Sequence, residues 1–232
     1  MKKDRIISDI LKKVSDSSGK IGKHELLSAT FECGAIAISN QFDYAQRDKR
    51  EKQYLSVISR YDKETQGAIA EIFGDIYSLL IQMTDSNIGF GDYLGEIYMQ
   101  SDTSNSKAGQ FFTPYSVSKL NAEMLLDEKM VRDYMENDRI LTIGEPACGS
   151  GGMILASADV LFNRYGFNTA RNLLVECGDL DKRCVHMTYL QLSLAGIPAI
   201  IYQRDALTMK TYDKWYTPAY LMQYLRFRSL MR

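Results

Sequence analysis

The chain has 232 residues, of which 45% are hydrophobic and 25% charged, and its formal net charge is −1. These values are ordinary for a globular protein and allow one large domain or two small ones. Balanced charge argues against tight, independent binding to nucleic acid, which normally requires a basic excess. Because we find neither a secretory signal nor an apolar run of membrane-spanning length, we expect a cytoplasmic protein without membrane contact.

The cysteines do not have the spacing of a metal site. Cys33, Cys148, Cys177 and Cys184 include no CxxC pair, and the chain has only two histidines. Thiols of a cytosolic protein stay reduced. We therefore expect reduced, mostly buried cysteines and no bound metal.

Helical periodicity dominates roughly the first hundred residues. Apolar residues recur at the spacing of one helix face over 6–14, 26–35 and 69–80. A serine- and glycine-containing segment at 15–19 predicts a turn between the first two helices. This part of the chain is therefore expected to be an all-helical unit.

A polar linker is predicted at the end of the helical part. The segment 85–91 has the composition of a loop, and a short helix through 94–98 follows it. The polar stretch 101–109 comes next and is predicted to connect two domains. We place the helical N-terminal domain at residues 1–105 and a second domain at residues 106–232.

Helices and strands alternate in the second domain. Short apolar runs predict the strands, and helical periodicity predicts the segments between them. The predicted elements in chain order are helix 116–126, strand 139–143, helix 153–165, strand 173–177, helix 181–194 and strand 197–202. This alternation is typical of an α/β fold with a parallel sheet and helical crossovers. The stretch 210–214 is too polar to be predicted as a buried fourth strand.

A glycine-rich turn follows the first predicted strand. Residues 143–152 read Ile-Gly-Glu-Pro-Ala-Cys-Gly-Ser-Gly-Gly, so an acid ends the strand and a glycine cluster leads into a helix. Glycines let a ligand approach the backbone closely, and a helix N-terminus presents free N–H groups. Glu145 would repel a phosphate group, but it would tolerate a sulfonium cofactor with an amino-acid tail. The alternative is a turn that serves tight packing alone.

Acidic residues follow the other two predicted strands as well. In doubly wound folds a carboxylate after the second strand commonly accepts hydrogen bonds from ribose hydroxyls, and we assign this role to Asp179. Asp181 fits the N-cap of the next helix. Asp205, after the third strand, is placed to accept a hydrogen bond from an adenine amino group, with a solvated loop acid as the alternative. Since parallel strands end at one edge of the sheet, these acids predict a ligand site there.

Two motifs resemble those of a known family. Residues 109–114 read Gly-Gln-Phe-Phe-Thr-Pro, and together with residues 145–152 they resemble the modification subunit of type I restriction systems and related adenine-N6 DNA methyltransferases. Residues 93–98, Tyr-Leu-Gly-Glu-Ile-Tyr, resemble part of that subunit's helical domain. The resemblance covers most of the chain and implies a class I, Rossmann-like methyltransferase fold. It also implies S-adenosyl-L-methionine as cofactor, DNA as substrate, and a restriction-modification subunit or a second copy of the chain as partner.

The resemblance implies a role for each cofactor residue. Thr113 and its neighbours would contact the methionine end, Glu145 and the turn 149–152 the amino-acid tail, Asp179 the ribose and Asp205 the adenine ring. The predicted cofactor-binding residues are Phe112, Thr113, Pro114, Glu145, Pro146, Ala147, Gly149, Ser150, Gly151, Asp179, Leu180, Asp205 and Ala206.

The chain departs from the family at the catalytic motif, which is Asn or Asp, Pro, Pro, then Tyr or Phe at the end of the fourth strand. By resemblance, its amide accepts hydrogen bonds from the amino group of a flipped adenine, and its aromatic ring stacks on the base. The nearest segment is Thr217-Pro-Ala-Tyr220, which makes Thr217, Pro218 and Tyr220 the candidate catalytic residues. A hydroxyl lacks the planar acceptor geometry of an amide, and no strand is predicted to hold it. Losing such a contact typically costs on the order of 10²–10³ in rate.

The end of the sequence bears on both fold and function. The family has three more strands and a target-recognition region at this point, so the predicted sheet is incomplete in its C-terminal half. The last residues contain Arg226, Arg228 and Arg232, and a solvated helix end is favoured over a phosphate-binding tail. Two functions remain open. One is a DNA adenine-N6 methyltransferase, acting alone or with a partner, and the other is an inactive relative that binds the cofactor as a regulatory or decoy subunit.

Overall fold

The computed structural model describes residues 2–19, 21–83, 88–101 and 112–228. The helices in these ranges are α1 (Lys2–Ser17), α2 (Lys23–Phe42), α3 (Arg47–Ile58), α4 (Lys63–Leu80), α5 (Tyr93–Ser101), α6 (Tyr115–Leu125), α7 (Glu128–Glu136), α8 (Gly152–Asp159), α9 (Thr169–Asn172), α10 (Lys182–Leu194), α11 (Pro218–Met222) and α12 (Tyr224–Arg228). The strands are β1 (Leu141–Glu145), β2 (Leu173–Asp179), β3 (Ala199–Arg204) and β4 (Thr211–Tyr216). A π-helical turn, Val160–Arg164, extends α8. The predicted linker after residue 101 and the domain boundary at residue 105 lie outside the described residues.

The N-terminal part is helical, as the periodicity predicts. Most of the apolar residues that define the predicted faces of α1, α2 and α4 are buried, among them Ile10, Leu27 and Ile72, and the others are half-buried. Asp62 caps α4 by accepting a hydrogen bond from the backbone N–H of Thr65 at 2.9 Å. None of the described helices combines the length and the apolar character needed to cross a bilayer.

The sheet has the order β1-β2-β3-β4, and its first three strands are parallel. Connections through α8 and α10 join them, which confirms the predicted strand–helix alternation. Because side chains alternate across a strand, Val175 and Ile201 face the main apolar core, whereas Leu174 and Ile200 face a smaller cluster on the other side. The main core extends from α1 to β4, so the helical part and the sheet share one interior.

The strand β1 is less buried than predicted. The sequence predicts a buried strand over 139–143, but β1 spans Leu141–Glu145, and Thr142 and Gly144 are exposed. The reason is that β1 pairs with β2 on one side only and forms an edge of the sheet.

The polar stretch 210–214, predicted to be too polar for a buried strand, is part of an exposed edge strand. Residues Thr211–Tyr216 form β4, which pairs antiparallel with β3. The connection over 205–210 is too short for a parallel crossover, which needs about a dozen residues or more, so the chain turns back as a hairpin. Since β4 is an edge strand, it tolerates polar residues on its open face, while Trp215 on the other face is buried.

A buried arginine attaches the helical part to β4. Arg50 on α3 is 1% exposed and donates hydrogen bonds to the Asp213 carboxylate at 2.5 Å and to the Lys214 carbonyl at 2.9 Å. Its guanidinium carbon lies 3.4 Å from the centre of the Trp215 ring. Burial of Asp213 opposes its ionisation, but hydrogen bonds from Arg50 and Lys49 outweigh it and hold the pKa of this carboxyl below its ordinary value.

We predict that Arg50→Ala lowers the free energy of unfolding by about 3 kcal/mol or more, because it leaves a buried carboxylate without its main partner. The control is Lys49→Ala, which removes the more exposed partner of the same carboxylate and should cost about 1 kcal/mol or less. Urea unfolding followed by circular dichroism measures both. Equal losses for the two variants would contradict the anchoring role of Arg50.

Candidate functional site

The three predicted carboxylates lie at one edge of the sheet. Glu145 and Asp179 are the last residues of β1 and β2, and Asp205 directly follows β3. In the parallel register Glu145 is opposite Cys177, and Asp179 is opposite Gln203. The strand ends are therefore adjacent, as the sequence predicts.

Asp179 connects the end of β2 to the glycine turn. One carboxylate oxygen accepts a hydrogen bond from the backbone N–H of Gly149, and the other accepts one from the N–H of Asp181, each at 2.9 Å. Asp181 in turn accepts from the N–H of Arg183 at 2.9 Å, which confirms its predicted role as the N-cap of α10.

Glu145 and Asp205 make local hydrogen bonds at the same edge. A Glu145 oxygen accepts from the N–H of Ala147 at 3.1 Å. Asp205 accepts from the N–H groups of Leu207 at 2.9 Å and Thr208 at 3.1 Å. These two hydrogen bonds lower the pKa of the Asp205 carboxyl, and the bond from Thr208 has the larger effect. They are equally compatible with a loop acid and with an acceptor for an adenine amino group.

The glycine turn is tightly enclosed. Gly149 and Gly151 have φ angles of +54° and +96°, which residues with a side chain rarely adopt. A Cβ atom on Gly149 would lie 3.1 Å from the Phe112 ring, and one on Gly151 would lie 3.2 Å from the hydroxyl of Thr188. The structure therefore brings the predicted segment around Phe112 into contact with the predicted turn.

Two cavities border this contact. One of about 120 Å³ is lined by Phe112, Thr113 and residues of the turn, among them Ala147 and Ser150. The other, about 440 Å³, lies between residues 112–115 and the start of α5 and shares Phe112 and Thr113 with the first. Together they fall within the size range of small-molecule sites. The backbone groups of the turn and the acids beside it fit a cofactor that has a sulfonium cation and an amino-acid tail.

A buried aspartate that the sequence analysis did not single out holds the turn in place. Asp92 accepts hydrogen bonds from the Ser150 hydroxyl at 2.5 Å, from the Gln191 side-chain amide at 2.9 Å and from the N–H of Gly95 at 3.0 Å. Burial raises the pKa of the Asp92 carboxyl, although the hydrogen bonds from Ser150 and Gln191 act in the opposite direction. The carboxylate thereby joins α5, the glycine turn and α10.

Gln191 completes this network. Its amide also donates to the Ser150 carbonyl at 2.7 Å, and its oxygen accepts from the N–H of Leu94 at 3.1 Å.

The Gly-Asp sequence before α5 is a local signal for a helix cap. The contacts to Ser150 and Gln191 join residues 58 and 99 positions from Asp92, so no local pattern reveals them.

The structure places the candidate catalytic residues beside the start of β3, at the opposite end of the parallel strands from the three carboxylates. Because β4 is antiparallel to β3, its end lies beside the start of β3, and the N–H of Thr217 donates to the carbonyl of Ala199 at 3.1 Å. The fully buried Thr217 hydroxyl accepts from the N–H of Ala199 at 2.8 Å and donates to the carbonyl of Ile197 at 2.9 Å. Pro218 begins α11, and Tyr220 is buried in the smaller apolar cluster. This placement does not support the predicted catalytic role of these three residues.

The remaining sequence predictions concern cysteines, metal ligands and the basic tail. Cys33, Cys148, Cys177 and Cys184 are free and buried. Within the described ranges, no group of three or more histidine, cysteine or acidic residues is arranged to hold a metal ion. Arg226 forms a salt bridge with Asp138 at 3.5 Å, while the Arg228 side chain and residues 229–232 lie outside the description.

Comparison with known proteins identifies a related family. The family model of N-6 DNA methylases matches residues 69–222. The chain is similar to the solved methyltransferase subunit of a type I restriction-modification system from Streptococcus thermophilus, with 15% identity and a TM-score of 0.39. This similarity covers 83% of the chain and 57% of that subunit, so the chain spans little more than half of its length. No curated protein matches the chain.

We predict that Asp92→Asn removes a pH dependence of stability. With a raised pKa, the folded state binds the Asp92 proton more tightly than the unfolded state does. The stability of the unaltered protein, relative to the variant, should therefore fall as pH rises above the ordinary aspartate pKa of about 4. Urea unfolding of both proteins at several pH values up to neutrality measures this difference. A difference that is constant or grows with pH would contradict the assignment.

We also predict that Thr217→Val lowers the free energy of unfolding by about 1–3 kcal/mol, because it leaves buried backbone groups of Ala199 and Ile197 without partners. Thr217→Ser keeps the hydroxyl and should restore most of this loss. Neither variant should change the affinity for S-adenosylmethionine, since the residue lies at the far edge of the sheet. A large loss of cofactor affinity in the valine variant would show that the site reaches Thr217.

Proposed function

This chain belongs to the N-6 DNA methylase family, and we propose that it binds S-adenosyl-L-methionine for the methylation of adenine in DNA. The observation that carries this proposal is the glycine turn, which is held between Phe112 and Asp179 at the sheet edge where Glu145 and Asp205 also lie. A phosphate-containing ligand would meet three carboxylates there. A cofactor with cationic groups and hydroxyl donors would be stabilised by them.

The cavities define the place for the methionine end of the cofactor. Phe112, Thr113 and the turn residues Ala147 and Ser150 line the smaller cavity, and Pro114 lies beside them at the larger one. We propose that the turn's backbone and the Glu145 carboxylate receive the amino-acid tail. When bound, the cofactor supplies a methyl group activated by its sulfonium centre.

The adjacent strand ends suit the nucleoside part. We propose that Asp179 accepts hydrogen bonds from the ribose while it keeps its bond to the turn, and that Asp205 accepts from the adenine amino group. Leu180 and Leu207 follow these acids and are 58% and 96% exposed. Apolar side chains so placed offer surfaces on which an adenine ring can stack.

The geometry around Thr217 favours a second candidate function. Because its hydroxyl is already bonded to the backbone, we propose that this chain provides cofactor binding and that a partner subunit or a second copy supplies the groups that receive the adenine. A cofactor site without an acceptor site is also what we expect of a regulatory or decoy subunit that binds the cofactor without catalysis. DNA is the proposed substrate of the assembled enzyme, and the cytoplasm its proposed location.

We further propose that residues 1–105 and 106–232 act as a helical domain and a methyltransferase-like domain. The networks around Asp92 and Arg50 couple the two parts. In this proposal the helical part supports the cofactor turn as well as offering an interaction surface.

We predict that S-adenosylmethionine binds the purified protein with micromolar affinity, measured by calorimetric titration. Asp179→Ala should weaken binding about tenfold or more, because a hydrogen bond to a charged group contributes about 1.5–3 kcal/mol. Asp181→Ala is the matched control, since it removes a neighbouring carboxylate that caps α10. Absence of binding by the unaltered protein, or equal weakening by the two variants, would contradict the proposed site.

Transfer of a radioactive methyl group to DNA separates the two candidate functions. Incorporation by the chain alone would exclude the decoy role, and incorporation that needs a partner would support shared catalysis. Cofactor binding without incorporation under any pairing would leave the regulatory role as the function.

A further inference from the structure

The described residues cover one face of the sheet only in part. On the face opposite α10, the side chains of Tyr220 and Phe227 pack against Leu174 and Ile200 near the starts of β2 and β3. Towards the other ends of the strands, this face carries exposed or half-buried residues, which we call the open sheet face. Its residues are Thr142, Gly144, Glu176, Tyr202, Arg204, Tyr212 and Lys214, with Lys210 at its border.

The open sheet face combines tyrosine rings with cations. The guanidinium of Arg204 lies 4.8 Å and the ammonium of Lys214 4.9 Å from the centre of the Tyr202 ring. The ammonium of Lys210 lies 5.1 Å from the ring of Tyr212, which is 51% exposed. Glu176 is the acid among the residues of this face. The face is therefore locally basic, although the chain as a whole is nearly neutral.

Arg204 has an unmet hydrogen-bonding capacity. Its Nε atom is buried and finds no acceptor among the described residues. A buried guanidinium nitrogen without an acceptor is unfavourable, and a phosphate oxygen is a good acceptor for it. The Arg204 side chain as a whole is half-buried, so the rest of its guanidinium can take part in binding an anionic ligand.

We propose that the open sheet face binds single-stranded nucleic acid. In some nucleic-acid-binding proteins, including one with a four-stranded sheet, exposed aromatic rings stack on the bases of a single strand while neighbouring cations contact the phosphates. Tyr212 offers the stacking surface, and Arg204, Lys210 and Lys214 offer the phosphate contacts. A duplex would present phosphates to the cations but no base for the ring.

The open sheet face is continuous with the proposed cofactor edge. Arg204 directly precedes Asp205, and its Nε lies near Gly178, which directly precedes Asp179; a Cβ atom on that glycine would lie 3.7 Å from this nitrogen. A strand bound on the face therefore reaches the edge at which the methyl donor is proposed to bind. The inference rests on the proposed function for the identity of the strand as DNA.

Fluorescence anisotropy with a labelled oligothymidylate tests the proposal. The logarithm of the binding constant should fall with the logarithm of salt concentration with a slope of about −2 for three phosphate contacts. The double variant Arg204→Gln/Lys210→Gln should make this slope shallower by about 1.4. Tyr212→Thr, which keeps a residue suited to a strand, should weaken binding about fivefold or more. Glu176→Gln should strengthen binding, because it removes the acid of the face.

Matched controls change the same residue types elsewhere. Lys12→Gln/Lys129→Gln and Tyr44→Thr alter exposed residues of the helices and loops and should leave binding unchanged; circular dichroism verifies that all variants fold. No binding of the oligonucleotide, equal effects of face and control variants, or tighter binding of a duplex of the same length would overturn the proposal. Calorimetry with S-adenosylmethionine on the same proteins measures cofactor binding independently. A failure of cofactor binding can therefore be distinguished from a failure of oligonucleotide binding.

Discussion

The buried carboxylate of Asp92 is the constraint on which the arrangement of the site depends. It accepts hydrogen bonds from the N–H of Gly95 in the first turn of α5, from Ser150 in the glycine turn and from Gln191 on α10. A buried charge or polar group is tolerated only when its partners are present together. Docking of the helical part on the sheet therefore helps to stabilise the conformation of the turn. In this way the N-terminal helices support the proposed cofactor site without contributing to the sheet.

Much of the fold follows from local patterns in the sequence. Helical periodicity predicts α1, α2 and α4, and the strand–helix alternation predicts three parallel strands with carboxylates at one edge. Asp181 is predicted as a cap because its signal lies within two residues of its partner. Such features depend on neighbours in the sequence, and a single sequence contains them.

The elements that prediction missed depend on distant contacts. The polar strand β4 forms because it is an edge strand whose buried Trp215 lies against Arg50 of α3, a contact between parts of the chain far apart in sequence. Its antiparallel direction moves Thr217 to the wrong edge for the predicted catalytic role. The Asp92 network likewise requires three separate segments. The sequence therefore predicts those residues of the candidate site that follow strand ends in recognisable motifs. It does not predict the residues that hold the site together through tertiary contacts.

Hydrogen–deuterium exchange with and without S-adenosylmethionine tests whether the cofactor binds at the glycine turn between Phe112 and Asp179. We expect the cofactor to slow exchange of backbone amides in residues 112–115 and 145–152 and to leave exchange in residues 217–222 unchanged. Unchanged exchange at the turn, or protection centred on residues 217–222, would contradict this expectation.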